Sequence, residues 1–111
     1  VKCWGWNDNG QLGYGNTSQR GHSSSGMGDN LLQVDLGTGR TAVQISSGYY
    51  HNCVILDDGS VKCWGSNLAG QLGYGNSGSG TNRGDYSNEM GDNLADASSP
   101  KSFLNSCHSF E

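Results

Sequence analysis

The sixteen residues VKCWGWNDNGQLGYGN at the start of the chain return sixty residues later as VKCWGSNLAGQLGYGN, identical at 13 of 16 positions. A period of this length is the signature of an array or a propeller, in which each unit buries its apolar face against the next. A second landmark, MGDNL, occurs at 27 and again at 90, so the offset grows from 60 to 63 and three residues have been inserted between the landmarks. The unlike, Gly- and Ser-rich segments 17–26 and 77–89 account for the difference and are expected to be surface loops. On this reading residues 1–60 form repeat one and 61–111 a partial second repeat with a divergent tail. Val1 stands in the middle of a motif, which is expected of a piece of something longer.

With 111 residues, 32% of them hydrophobic and 19 of them glycine, such a chain has a thin core and many turns. An additional staple is therefore expected. The net charge of -4, with six scattered basic residues, offers no face for releasing counterions from nucleic acid. No apolar run approaches the roughly 20 residues of a membrane-spanning helix.

The invariant half of the repeat reads as scaffold. Glycines 5, 10, 13 and 15 return at 65, 70, 73 and 75, which suits backbone turns of positive φ or close packing. Asn7/Asn67 and Gln11/Gln71 are placed to bond the backbone groups those turns leave unpaired. The segment NCVILDDGSVKCWG (52–65) predicts a hairpin with a three-residue loop at Asp57, Asp58 and Gly59. That register sets Ile55 opposite Val61 and Cys53 opposite Cys63, and the two cysteines can bridge if they occupy a non-hydrogen-bonded pair. Cys53, Ile55, Val61 and Cys63 then share one face, and Val54, Leu56 and Trp64 the other, so the strands should be layered between neighbours. TAVQIS (41–46) is a third strand candidate, and no segment has a helical period. A small antiparallel sheet of three or four strands, stacked on copies of itself, is expected.

The stretch SSGYYHNCVILDDGSVKCWGSNLAGQLGYGN resembles the repeat of the regulator of chromosome condensation family, with residues 1–16 and about 41–76 carrying the likeness. The resemblance implies an all-β fold of propeller blades. At about two repeats the chain would form an incomplete propeller or an open stack. It also implies framework positions for His51, Trp4 and Trp64, and it brings a rival function: a propeller fragment regulating a small GTPase by nucleotide exchange. The tail from residue 95 departs from the pattern, lacking VDLGTG and HNC.

Cys3 is the repeat equivalent of Cys63, and its natural partner would lie some ten residues upstream. Cys107 is then available to it, within the chain or across a subunit contact; the alternative is four buried free thiols. Four bridgeable cysteines in a small Gly-rich domain suit the extracellular space or secretory pathway. Asn16-Thr17-Ser18 is an acceptor sequon for a glycan on Asn16. No cysteine or histidine cluster has metal spacing, no cofactor is indicated, and no nucleophile and base are registered against each other. Asp29 and Asp92 are suited to closing loops. Arg83-Gly84-Asp85 matches an integrin-recognition tripeptide and is expected to be exposed in its variable loop. Trp6, the one tryptophan that does not repeat, joins Arg83, Asp85 and Tyr86 as candidate partner contacts. The expected function is that of a non-catalytic extracellular module binding a protein partner or assembling with copies of itself, whose exposed repeat edges the partner completes.

Overall fold

A computed structural model describes residues 1–97. Cys107 and the tail from 98 onward lie outside the described residues, and with them the expected Cys3–Cys107 pairing. The chain is all-β, with a three-stranded antiparallel sheet in the order β1 (Ala42–Ser47), β2 (His51–Leu56), β3 (Val61–Gly65). Single-turn 3-10 segments occur at Ser24–Gly26, Gly28–Asn30 and Gly91–Asn93, so both MGDNL copies form the same tight turn. The place of a fourth strand is taken by isolated bridges, Gly5 to Arg20 in the first repeat and Gly65 to Arg83 in the second.

The hairpin has the expected register, with Ile55 opposite Val61 and Cys53 opposite Cys63. Gly59 sits at φ 84°, and the amide of Leu56 donates to the Ser60 carbonyl at 2.9 Å. Asp58 accepts from the Ser60 amide, and Arg40 pairs with Asp58 at 3.0 Å. Asp57 accepts from the Thr41 amide at 3.3 Å, so both carboxylates of this turn hold backbone in place. Cys53 and Cys63 form a disulfide with their Cα atoms 4.1 Å apart. The boundary between sequence repeats at 60/61 falls inside this hairpin, so the structural unit runs out of phase with the sequence repeat.

Both faces of the β2–β3 hairpin are buried, as the apolar pattern demands. Cys53, Val61 and Cys63 pack on Leu72 of their own repeat. Val54, Leu56 and Trp64 pack on Val34 and Leu36 of the preceding repeat, together with Met90 and Leu94. The Trp64 indole donates to the Gln11 carbonyl at 2.9 Å, and Asn52 donates to the same oxygen at 2.6 Å. A Cβ at Gly13 would stand 2.8 Å from the Trp64 indole nitrogen, which explains a glycine there.

Repetition in sequence is repetition in geometry. Asn7 accepts from the Leu12 amide and donates to the carbonyls of Asn16 and Ser18; Asn67 accepts from the Leu72 amide and donates to the carbonyl of Asn76. Both side chains are fully buried. A buried amide with its bonds made is stable, and the same amide unpaired would cost about 1–3 kcal/mol.

Two outcomes follow for stability. Replacing Cys53 and Cys63 together by alanine should lower the unfolding free energy in urea by about 2–3 kcal/mol, the amount that closing a loop this short removes from the unfolded chain. An unchanged midpoint would show that the bridge does not stabilise the fold. Leu72→Ala should cost about 2–5 kcal/mol in the same assay, because its cavity opens against the disulfide.

Candidate functional site

Where the second repeat is covered, the first is open. Trp64 is fully buried, while its equivalent Trp4 is 62% exposed. A groove of about 370 Å³ is lined by Trp4, Trp6, Ile45 and Tyr49 together with Gln11, Leu12 and Asn52. Tyr49 is 80% exposed and stands beside Tyr50, their ring centroids 6.1 Å apart. Val43 and Ile45 add exposed apolar surface along β1. The sequence reading found Trp6 in this surface and missed Tyr49, which lies in the turn between β1 and β2. Two adjacent tyrosines in a turn were the available signal.

Trp6 differs from its repeat equivalent for a packing reason. Ser66 is buried, its amide donating to the Tyr50 carbonyl at 2.7 Å, and a tryptophan would not fit there.

The loop carrying Arg83, Gly84, Asp85 and Tyr86 corrects one expectation. Arg83 is built into the framework: its backbone pairs with Gly65, and its guanidinium donates to the carbonyls of Thr81 and Asn82. Gly84 is buried, and its amide donates to the Glu89 carboxylate at 2.9 Å. The tripeptide is therefore not an exposed recognition loop, since its backbone is used to join the two repeats. Only Tyr86, 69% exposed, projects outward from this segment.

Asp85 is half-buried beside Glu89. Burial first, then the hydrogen bond and negative charge of Glu89, push its carboxyl up to about 6. Asp92 shows the opposite behaviour, because hydrogen bonds from the Thr38 hydroxyl and amide lower its pKa. It closes a loop across repeats, as its repetition suggested. Asp29 makes no such bond, although it holds the same middle position in the equivalent turn.

Lysine also has a role that sequence reasoning passed over. Lys62 is buried and donates to the Gly91 carbonyl at 2.8 Å, and Lys2 donates to the equivalent Gly28 carbonyl at 2.9 Å. The repeated VKCWG contained the signal, but a lysine reads by default as surface charge. His51 is buried in the framework at the start of β2. Among the described residues there is no group of three His, Cys, Asp or Glu that could hold a metal ion. Among the described residues no helix is long and apolar enough to cross a membrane.

Cys3 is a half-buried free thiol, its pKa raised by burial. Asn16 is half-buried; its side-chain oxygen accepts from the Ser18 amide, and its side-chain nitrogen makes only a long 3.5 Å contact to the Tyr14 carbonyl.

Residues 42–71 match the family model described as the regulator of chromosome condensation (RCC1) repeat. The match therefore covers the whole sheet and the Asn-x-x-Gly-Gln turn that follows it. The chain is 34% identical over 74 residues to the ultraviolet-B receptor UVR8 of Arabidopsis thaliana, covering 67% of this chain and 15% of the receptor. It is 33% identical over 79 residues to a protein RCC2 homolog of Danio rerio, covering 68% of this chain and 14% of that protein. Over 73 residues it is 36% identical to a probable E3 ubiquitin-protein ligase, HERC4, of Homo sapiens, covering 66% of this chain and 6% of the ligase. The chain thus spans only a small part of the length of each relative.

The Asp85 environment has a signed consequence. A carboxyl whose folded pKa lies above its unfolded value favours folding when protonated. Its contribution is complete below the unfolded value near 4 and is lost as pH rises through about 6. Thermal stability should therefore rise as pH is lowered from about 7.5 to 5, and Asp85→Asn should be the more stable protein at the upper end and flatten that slope. Superimposable profiles for wild type and Asp85→Asn would refute the assignment.

Proposed function

We propose that this chain, a member of the regulator of chromosome condensation repeat family, is a non-catalytic module that binds a protein partner through the open face of its first repeat. The observation that carries this reading is the aromatic surface around the groove. Trp4, Trp6 and Tyr49 are each more than half exposed and converge on one side of the molecule, with Ile45 beside them. Aromatic anchors bury large area at low entropic cost and dominate binding energies at interfaces. The relatives with a receptor and a ligase among their names share with this chain only a region of repeats, which suits a binding role for that region.

The proposed compartment is extracellular or secretory. The Cys53–Cys63 bridge supports it, because such bonds persist in oxidising surroundings. The Asn16-Thr17-Ser18 sequon supports it too, with Thr17 and Ser18 exposed and Asn16 half-buried. Protein from its natural source should lose mass on treatment with an N-glycosidase and should yield a Cys53–Cys63 peptide under nonreducing conditions. Free thiols at both positions would overturn the compartment.

The binding reading is tested by chemical crosslinking in that source, with wild-type chain compared against Trp6→Ala/Tyr49→Ala. Loss of two anchors worth about 2 kcal/mol each should reduce partner capture at least roughly tenfold. Equal capture by the two proteins would remove the open face from consideration.

A further inference from the structure

The segment 83–90 reaches from the second repeat onto the first and folds back on itself. Arg83 is bridged to Gly65 at its start, and the Gly84 carbonyl accepts from the Gly15 amide at 3.0 Å. A Cβ at Gly84 would stand 2.7 Å from the Gly10 carbonyl oxygen and 3.3 Å from the Gly13 Cα, so the backbone here lies directly on the first repeat's turn. Met90, at the far end, enters the core with Trp64. Between these anchors the chain reverses at Asn88, which at φ 67° is the one described residue other than glycine in the left-handed region. Asparagine tolerates that conformation better than most side chains.

The reversal brings Glu89 back to Gly84 and Tyr86, whose amides both donate to its Oε2, at 2.9 and 3.2 Å. Asp85 stands between those two residues, and its carboxyl is hydrogen-bonded to Glu89. Asp85 Oδ1 is buried and receives no N–H or O–H donor among the described residues. A bond between two carboxyl groups needs a proton between them, because an ionised carboxylate only accepts. Glu89 already holds two backbone donors, an arrangement that suits the ionised form, so the shared proton belongs on Asp85. The other charge facing the pair is Arg83, whose guanidinium is committed to the Thr81 and Asn82 carbonyls. The turn packed against the segment, residues 10–15, carries one titratable side chain, Tyr14, and its hydroxyl bonds the Cys3 and Leu32 carbonyls instead. Asp8, at the entry to that turn, is exposed.

We propose that Asp85 and Glu89 form a proton-operated latch: sharing one proton they hold the tip 84–89 on the Gly10–Gly15 turn, and when both are ionised they release it. Without the proton, two negative charges occupy one half-buried site, and they repel. Relief comes as Glu89 swings into water. The buried Gly84 amide then loses its acceptor, which is unfavourable unless the tip lifts and lets solvent reach it. Lifting breaks the Gly15–Gly84 bond, uncovers the bare backbone of the turn and frees the exposed Tyr86 from its fixed position. Trp64, Met90 and the Gly65–Arg83 bridge still join the repeats, so the tip opens without unfolding the rest. The direction follows from the raised Asp85 carboxyl, near 6 in the folded chain: the latch is closed in acid and loosens as pH rises through that value. Against an ordinary carboxyl near 4, the closed-to-open ratio should change about tenfold between about pH 5 and about pH 7.5.

Amide hydrogen exchange of the full chain, followed by NMR over that pH range and corrected for the intrinsic pH dependence of exchange, tests the latch. Protection of the Gly15, Gly84 and Tyr86 amides should fall about tenfold further than that of Leu72, whose amide is bonded to Asn67 within the second repeat. Asp85→Asn, whose side-chain amide can donate to Glu89 at every pH, should keep the three positions protected with a flat profile. Glu89→Gln removes the like charge and should also be flat, which keeps the idea testable if the first variant does not fold. A wild type whose protection ignores pH, or an equal fall in either variant, would overturn the latch. A parallel fall at Leu72 would overturn it too, since the whole fold and not the tip would then be responding.

Discussion

The contact on which the rest depends is the Trp64 indole resting on the Gln11 carbonyl. It is the point where a sheet made from one repeat meets a turn made from the other. The indole can approach because position 13 lacks a Cβ, and the carbonyl is presented because Asn7 holds the turn from inside. Val34, Leu36, Val54 and Leu56 then close around the ring. Dispersion over this many neighbours and removal of a large aromatic surface from water dominate the cohesion of so small a core. The disulfide acts on the other face of the same hairpin, and the two effects are independent in kind: one stabilises the folded contacts, the other restricts the unfolded chain.

Because that contact joins one repeat to the next, each repeat is incomplete alone. The donor is a tryptophan at the end of β3 and the acceptor is a turn in the preceding unit. Trp4, the equivalent residue of the first repeat, makes no such bond among the described residues and is 62% exposed. The aromatic surface proposed for binding is therefore a consequence of the repeat logic. Residue types that cement the core at Trp64 also line the face proposed for binding at Trp4.

Much of the fold was legible because local and long-range signals agreed. The Asp57-Asp58-Gly59 turn fixed the hairpin register, the register fixed which cysteines face each other, and the apolar residues on both faces required layers above and below. The 3-10 turns at MGDNL were not legible, since three-residue helical segments carry no period. Trp6 and Tyr86, aromatic residues in unlike parts of the repeat, are both exposed, and Trp6 lines the groove. Arg83 and Asp85 are less exposed than a loop variable in sequence suggests, because its backbone pairs with Gly65 and packs against Gly10. Variability of side chains does not imply that the main chain is free.

The paired glycines separate two physical roles that sequence alone merges. Positions 10, 15, 70 and 75 all have positive φ, between 74° and 81°, so each favours glycine by its backbone conformation alone. The surroundings differ. A Cβ at Gly10 would collide with the Asp85 backbone, and one at Gly15 would stand 3.4 Å from Ser87, both across the junction between repeats. At Gly75 a Cβ would meet nothing within 4 Å, and at Gly70 it would make only ordinary contact, with Asn76 of its own repeat. Positive φ is therefore the common requirement, and the bare surface it creates is used for close packing only where a second repeat arrives. A turn chosen for its backbone conformation thus also supplies a close-packing surface across the junction between repeats.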